Sequence, residues 1–357
     1  MTVRRTDRKE RATAWEGFSI QYKMLSDSEI DAFRDNLLVW FAQHKRDLPW
    51  RRTRDPYAIW ISEIMLQQTR VAAVIPYYER FIERFPNFEA LATASEAELL
   101  AAWAGLGYYY RARNLQKAAQ VMRAAGAFPS TYKEIRALPG VGDYTAAAVA
   151  SIAFSLPYPA LDGNVLRVLS RLLDDDSDIA SKETKNYFSE LASRILDRRQ
   201  PGTFNQAMME LGATLCLPKN PQCLLCPVSS ACRALRTGRQ NDLPLKRRAQ
   251  KAVQEKRRLF WIERDGKLLL WRRKPDARLM PGFWELPERS QLPDLAVGRS
   301  LGSFRHGITF HDYLFEVSEA EPPVDCGSCE WVAIDELMKL PASTVLRKAI
   351  SLRFQLN

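Results

Sequence analysis

No apolar run in this 357-residue sequence approaches the roughly 20 residues that a membrane-spanning helix needs. The charged N-terminal stretch, residues 1–17, also lacks the apolar segment of a secretory signal. We therefore expect a cytoplasmic protein, where cysteines stay reduced and the six cysteines are better read as metal ligands than as disulfides. An acidic excess is missing as well. The net charge of +10 favours an anionic partner, nucleic acid before a membrane surface.

Composition and pattern divide the chain into four segments. Residues 1–25 are predicted to be a basic, poorly ordered arm, and residues 26–235 a mainly α-helical region, because apolar residues there recur at helical spacing. Residues 236–257 are polar and basic, which is typical of a linker. Residues 258–357 change to strand patterns with an Asp-Gly turn at 265–266 and a closing helix near 344–354, which predicts an α+β domain.

A glycine-rich turn, Leu138–Gly142, opens onto a strongly helical run in the first half of the chain. Gly140 and Gly142 leave the backbone free to approach a ligand, and the amides at a helix N-terminus bind anions such as a DNA phosphate. Further along, Asp162 begins a second helix-like segment. The turn is equally consistent with an ordinary helix connector, and Asp162 with a helix N-cap.

Glu63 lies in a helical pattern predicted over residues 57–70, beside apolar neighbours. A carboxyl group there is desolvated, so its pKa should rise toward neutrality. The alternative is a partly buried glutamate whose charge is satisfied by a backbone cap.

Glycines, tyrosines and arginines at 105–114 predict a loop that stacks on bases and neutralises phosphates. That loop could equally be a helix junction with its tyrosines packed in the core.

Four cysteines lie in one short loop, residues 216–232, with the spacing Cys-x6-Cys-x2-Cys-x5-Cys: Cys216, Cys223, Cys226 and Cys232. Four thiolates suit either zinc or an iron–sulfur cluster, and the ligand type does not separate the two. A second pair, Cys326 and Cys329, lacks two further partners. We interpret that pair as incidental thiols.

Taken together, these motifs resemble the adenine DNA glycosylases of the MutY family over nearly the whole of residues 27–350. The matching stretches are Leu-Pro-Trp (48–50), Ser-Glu-Ile-Met-Leu-Gln-Gln-Thr (62–69), Gly-Leu-Gly-Tyr-Tyr (105–109), Leu-Pro-Gly-Val-Gly (138–142), Leu-Asp-Gly-Asn-Val (161–165), Phe-Asn-Gln-Ala-Met-Met-Glu-Leu-Gly (204–212) and the cysteine loop. The resemblance implies an endonuclease III-like helix-hairpin-helix fold with one four-iron four-sulfur (4Fe-4S) cluster, followed by a Nudix-like domain. It also implies a monomer, associated with the bacterial nucleoid, that removes adenine mispaired with 8-oxoguanine or guanine in duplex DNA.

The chemistry of base removal fits two of these residues. Breaking the N-glycosidic bond needs a proton on the leaving base and an anion beside the developing oxocarbenium sugar. A glutamate of raised pKa, Glu63, can supply the proton, and Asp162 can remain ionised as the anion. The resemblance implies that Tyr144 and Asn164 assist them and that the four cysteines hold the cluster.

The resemblance also assigns residues that bind the substrate. Gln68 and Tyr108 match positions that wedge into the duplex, while Gly140 and Gly142 belong to the phosphate-binding turn. The positions that match the adenine pocket are Trp50, Arg51, Leu66, Gln206 and Glu210.

Three positions or regions discriminate among related activities. Tyr144 stands where strand-cleaving relatives carry a lysine, so no amine is present there to form a Schiff base. The C-terminal domain lacks the clustered glutamates of a Nudix hydrolase, so pyrophosphate hydrolysis is not expected. In that domain Thr309 is the expected contact for the damaged guanine, although Phe310 replaces the histidine found in the family's loop.

Overall fold

The computed structural model describes residues 25–246, 253–274, 277, 282–293, 295–308, 311–325, 327–337, 340 and 342–354. The chain divides into two compact units. Unit 1 holds the described residues up to Ile64 together with Phe128–Lys246, and unit 2 holds Met65–Ala127 and the described residues from 253 onward. The arm predicted for residues 1–25 lies outside the described residues except for its last residue, as do residues 247–252 of the predicted linker.

Helices account for most of the chain up to residue 236, as the sequence predicts. In chain order they are α1 (Asp27–His44), α2 (Pro56–Leu66), α3 (Val71–Arg84), α4 (Phe88–Thr93), α5 (Glu96–Trp103), α6 (Tyr110–Ala125), α7 (Tyr132–Ala137), α8 (Asp143–Phe154), α9 (Gly163–Leu173), α10 (Lys182–Ile195), α11 (Pro201–Thr214) and α12 (Arg233–Arg236). Short 3-10 turns lie at Pro49–Arg51, Cys223–Leu225 and Ser229–Ala231. The mainly α-helical prediction for this region is confirmed.

One predicted helix is shorter than expected. The pattern over residues 57–70 predicts a single helix, but α2 ends at Leu66 and α3 begins at Val71. The break lies at Gln68, whose φ of 58° is in the left-handed region, where an α-helix cannot continue.

Unit 1 is held together by an apolar core between α1, α9, α10 and α11. Phe33 of α1 and Phe204 of α11 lie with their ring centroids 6.3 Å apart in this core. The entry to α1 is fixed by a capping box, in which Ser26 and Glu29 each accept a hydrogen bond from the other's backbone amide. The core therefore brings the segment around Asp162 next to α11, although the two are distant in sequence.

Helix α11 approaches its neighbours closely because two of its positions are glycine. A Cβ at Gly202 would lie 2.5 Å from the carbonyl oxygen of Ser151 in α8, and a Cβ at Gly212 would lie 2.6 Å from the Cβ of Asn164 in α9. Both separations are shorter than non-bonded heavy atoms tolerate without a backbone shift. The glycines thus set the distance between α11 and the helices that carry the candidate site.

Unit 2 combines α3–α6 with the C-terminal sheets. The strands are β1 (Val253–Trp261), β2 (Glu263–Arg264), β3 (Lys267–Arg272), β4 (Trp284–Glu285), β5 (Ser300–Ile308), β6 (His311–Glu319) and β7 (Cys329–Ala333), and the closing helix is α13 (Thr344–Phe354). One sheet has the order β1-β6-β5, with β1 parallel and β5 antiparallel to β6. In the other sheet β3 pairs antiparallel with β2, β4 and β7.

The predicted Asp-Gly hairpin and α+β domain are both confirmed. Asp265 and Gly266 have φ values of 50° and 71°, the left-handed pair that a tight hairpin turn requires, and they join β2 to β3. Among the strand patterns of this domain, the strand-like stretch of residues 308–317 contains the last residue of β5 and the first seven residues of β6. The likeness of this domain to the Nudix fold stays a prediction. No helix within the described part of the chain is long and apolar enough to span a membrane.

We expect Gly212→Ala to destabilise the protein by about 1–3 kcal/mol, since the new methyl group would collide with Asn164. This outcome opposes helix propensity, by which alanine is favoured over glycine by about 1 kcal/mol. Urea unfolding of the two proteins measures the difference. Gly163→Ala is the matched control, because a Cβ there meets no atom within 4 Å. Equal stability of Gly212→Ala and the parent protein would contradict the close approach.

Candidate active site

Glu63 lies in α2 with only 5% of its surface exposed, next to the fully buried Trp60. Its pKa is raised to about 7, chiefly by burial; a hydrogen bond from Tyr144 opposes the rise and the charge of Asp162 adds to it. The raised pKa expected from the apolar neighbours is confirmed. Glu63 and Asp162 are therefore coupled electrostatically.

Tyr144, in the first turn of α8, connects that helix to Glu63. Its Oη donates to Oε2 of Glu63 at 2.6 Å and lies 3.2 Å from Sδ of Met209 in α11. Burial and the nearby carboxylates raise the pKa of Tyr144 well above its usual value. The phenol therefore stays a neutral donor that orients the Glu63 carboxyl group.

Asp162 is the N-cap of α9, so the N-cap interpretation of this residue is correct. Its Oδ1 accepts from the backbone amide of Val165 at 2.7 Å, and its Oδ2 accepts from Nδ2 of Asn164 at 2.7 Å. Burial raises the pKa of Asp162, although these hydrogen bonds act in the opposite direction. Both oxygens are held by donors at a helix N-terminus, where negative charge is favoured.

Arg167, which was not predicted from the sequence, links this carboxylate to the cysteine loop. The guanidinium is 8% exposed and donates to Oδ1 of Asn164 at 2.9 Å, to the carbonyl of Gly212 at 2.7 Å and to the carbonyl of Cys216 at 2.8 Å. The available signal was the spacing of Asn164, Arg167 and Arg171, which puts three hydrogen-bonding side chains on one face of α9. A buried arginine with no matching acceptors would be costly, so such a residue indicates a hydrogen-bond network.

Glu210 of α11 forms a buried ion pair with two arginines. Its Oε2 lies 2.7 Å from Nη2 of Arg46 and 2.8 Å from Nη2 of Arg51. Burial opposes ionisation of Glu210, but hydrogen bonds from both arginines overcome it and lower its pKa to about 2. Arg46 was not predicted from the sequence, because 164 residues separate it from Glu210.

The remaining residues assigned to the adenine pocket fall in different surroundings. Arg51 and Gln206 line a cavity of about 310 Å³ in unit 1, with Phe41 as an apolar wall. Trp50 is buried. Leu66 belongs to unit 2, where it is half-buried at the end of α2.

The two residues assigned to the duplex wedge share an unusual backbone conformation in unit 2. Gln68 and Tyr108 have φ values of 58° and 48°, and Tyr108 exposes 52% of its surface. Arg111, which is 2% exposed, donates to the carbonyls of Gln67 at 2.5 Å and Gly107 at 3.2 Å, so it joins the two turns. The left-handed conformations are held by this clamp, as strained functional positions commonly are.

The glycine-rich turn leads into α8 as predicted. Gly140 has a φ of 76°, and Gly142 is the N-cap of α8 without a side chain to satisfy the first amides. Arg136 fixes the turn by donating to the carbonyl of Val141 at 2.9 Å and to Oδ1 of Asp143 at 2.5 Å. No N-cap side chain accepts from the first amides of α8. Amides at such a helix N-terminus can bind an anion.

The four predicted ligand cysteines line one small cavity of about 30 Å³. The buried Arg171 donates to Sγ of Cys216 at 3.2 Å and to the carbonyl of Leu217 at 2.7 Å. Four thiols around one cavity, with a cation hydrogen-bonded to a sulfur, are a donor set that fits a thiolate-ligated iron–sulfur group. No group of three or more His, Cys, Asp or Glu among the described residues is arranged for a single metal ion.

Thr309, the expected contact for the damaged base, lies outside the described residues together with Phe310. Cys326 is also outside them, while Cys329 is buried in β7.

Comparison with known proteins places this geometry in a family. Residues 61–194 match the model of the HhH-GPD superfamily base excision DNA repair protein. The chain is 34% identical to the adenine DNA glycosylase of Mus musculus, over 92% of this chain and 79% of the mouse protein. It is 35% identical to the adenine DNA glycosylase of Buchnera aphidicola subsp. Schizaphis graminum, over 68% of this chain and 73% of that protein.

Solved structures agree with the helical part of this result. A thermostable thymine-DNA glycosylase matches with a TM-score of 0.55 and 31% identity, over 59% of this chain and 98% of the other. A non-covalent endonuclease III–DNA complex matches with a TM-score of 0.51 and 27% identity, over 60% of this chain and 99% of the other. The predicted endonuclease III-like helix-hairpin-helix fold is confirmed, and the chain belongs to the adenine DNA glycosylase family.

Proposed function

We propose that this enzyme hydrolyses the N-glycosidic bond of adenine mispaired with 8-oxoguanine or guanine in duplex DNA and leaves the DNA strand intact. The observation that carries the proposal is a pair of electrostatically coupled carboxyl groups in unlike environments. Glu63 is buried with a pKa of about 7, and both oxygens of Asp162 accept hydrogen bonds. Such a division suits one proton donor and one permanent anion.

Glu63 is the proposed general acid. A carboxyl group with a pKa of about 7 is protonated in a large share of molecules at neutral pH, so it can give its proton to N7 of adenine. Protonation turns adenine into a good leaving group. The hydrogen bond from Tyr144 to Oε2 fixes the carboxyl group, so the oxygen not bonded to tyrosine can face the base.

Asp162 is the proposed stabiliser of the sugar cation. Departure of adenine leaves positive charge on the deoxyribose, and a nearby carboxylate lowers the energy of that state. The amide of Val165 and the side chain of Asn164 hold both carboxylate oxygens. Asp162 therefore needs little reorganisation when the charge develops.

Recognition of adenine is assigned to the group around Arg51. Its guanidinium is fixed by Glu210 and by the carbonyl of Arg46, so its direction is set before the base arrives. The side chain of Gln206, in the same cavity, offers both a donor and an acceptor for the base edge. The adenine must leave the stack to reach such a site, and Tyr108 and Gln68 are the proposed wedge residues.

The absence of an amine at position 144 supports simple hydrolysis. Strand cleavage by relatives proceeds through a lysine that attacks the sugar, and here that position is a tyrosine bonded to Glu63. The product should be an abasic site in an uncut strand.

A 4Fe-4S cluster is the proposed cofactor, held by Cys216, Cys223, Cys226 and Cys232. When bound, it supplies four sulfur–iron bonds that cross-link the loop of residues 216–232. The carbonyl of Cys216 accepts from Arg167. A loop ordered by the cluster therefore also fixes Arg167, which donates to Asn164.

Reading of the damaged guanine is assigned to the C-terminal domain, with Thr309 as the proposed contact.

Asp162→Asn and Glu63→Gln should each lower the single-turnover rate of adenine excision by about 10²–10⁴-fold, because an amide supplies neither the charge nor the proton. Binding to the mispaired duplex should change little, since both groups act mainly in the transition state. The assay uses duplexes with adenine opposite 8-oxoguanine, guanine, cytosine or thymine and reveals product by hot alkali. Near-parental rates for either variant, or strand cutting without alkali, would overturn the mechanism.

The excision rate should fall as pH rises through about 7, because the active form of Glu63 is the protonated one. Tyr144→Phe should move this alkaline limb to higher pH. The hydrogen bond from Tyr144 lowers the pKa of Glu63, so its removal lets that pKa rise. Single-turnover rates across the pH range locate the alkaline limb in the parent protein and in the variant. A limb that stays in place, or moves to lower pH, would contradict the role of Tyr144.

Protein purified without oxygen should contain about four irons per chain. It should also show a broad visible absorbance band at about 400 nm, as thiolate-ligated iron–sulfur clusters do. Cys223→Ser should lose iron, since it removes one proposed ligand. Cys329→Ser is the matched control, because that buried thiol lies in β7 and outside the loop. Stoichiometric zinc with no iron would replace the cluster by a zinc site.

A further inference from the structure

The loop that delivers Asp162 to its place runs from the end of α8 to the start of α9. It leaves α8 at Ser155, whose φ is 55°. The ring of Tyr158 stacks on that of Tyr132 with centroids 4.3 Å apart, and Ala160 is 1% exposed. Asp162 follows two residues later, so the placement of its carboxylate depends on the backbone at 158–160.

Asn205 of α11 fixes that backbone. Its side chain is 3% exposed. The Nδ2 group donates to the carbonyl of Tyr158 at 2.8 Å and to Oγ of Ser151 at 2.8 Å. The Oδ1 atom accepts from the amide of Ala160 at 3.1 Å. One buried amide thus joins helix α8, helix α11 and both sides of Pro159 in the loop.

The chemistry of these three bonds requires an amide group. The carbonyl of Tyr158 needs a donor and the amide of Ala160 needs an acceptor, and an asparagine side chain presents both in one plane. Aspartate lacks the donor, and leucine of similar size lacks both. The close approach permitted by Gly202 brings α11 within reach of Ser151. Asn205 is therefore matched to this loop by both distance and hydrogen-bonding pattern.

We propose that Asn205 is a positioning residue for the excision reaction, which places the Asp162 carboxylate beside the sugar through the backbone at Tyr158 and Ala160. This inference rests on the proposed function of Asp162. Loss of the amide leaves a buried carbonyl and a buried N–H unpaired, so the loop shifts to find other partners. A displaced carboxylate stabilises the sugar cation less well, while the rest of the DNA-binding surface is unchanged.

The test compares duplexes carrying two sugar analogues opposite 8-oxoguanine. One is a pyrrolidine, which is protonated and resembles the cationic sugar, and the other is the neutral tetrahydrofuran abasic analogue. The parental protein should bind the cationic duplex more tightly, and Asp162→Asn should abolish that preference. Asn205→Leu should reduce the preference about tenfold or more, the effect of losing a buried hydrogen bond, with unchanged affinity for the neutral duplex.

Excision kinetics supply a second readout. Asn205→Leu should lower the single-turnover rate about 10²-fold, as small misplacements of a reacting group do, with little change in the substrate concentration at half-saturation. Asn205→Ala, which leaves room for water, is the second variant if the leucine protein does not fold. Ser170→Ala is the control for lost stability alone. Its buried hydroxyl bonds the carbonyl of Asp175 at 2.7 Å, at the opposite end of α9.

The outcomes distinguish failure of the positioning role of Asn205 from failure of the proposed function of Asp162. Full preference for the cationic duplex in the Asn205 variants would overturn the positioning role. An equal loss of preference in Ser170→Ala would overturn it too, because the effect would then follow from stability. If Asp162→Asn keeps the preference, the proposed function of Asp162 fails, whatever the Asn205 variants do.

Discussion

Desolvation of the Glu63 carboxyl group is the constraint on which the proposed chemistry depends. The side chain lies in an apolar helix with almost no exposed surface, and its pKa rises to about 7 for that reason. A charged glutamate in the same place would need a cationic partner, and a solvated one would be an anion at neutral pH. Tyr144, a neutral donor, orients the carboxyl group without supplying a positive charge. The residue is thereby kept able to donate a proton.

Helix α11 contacts several parts of the candidate site in unit 1. Gly202 and Gly212 allow it to approach α8 and α9, Asn205 holds the loop before Asp162, and Glu210 orients Arg51. These positions lie on different turns of one rigid element. A single helix can therefore keep the proposed anion and the proposed base-recognition group in fixed relation, which is what preorganised catalysis requires.

Local sequence determined much of this protein. The Asp-Gly turn predicts a hairpin because both residues tolerate left-handed φ values. The apolar neighbours of Glu63 predict a raised pKa, since they lie within one helical turn of it. The position of Asp162 at a helix start and the spacing of the four cysteines are equally local. Each of these predictions depends on residues close together in the chain, where geometry follows from secondary structure.

Tertiary structure decided what joins these pieces. Arg46 meets Glu210 across 164 residues, and no periodicity in either segment encodes that contact. The helix predicted over residues 57–70 ends at Leu66, and Arg111, far along the chain, donates to the carbonyl of Gln67 beside the turn at Gln68. Hydrogen-bond partners are set by proximity in space, and folding brings together segments that are far apart in the chain.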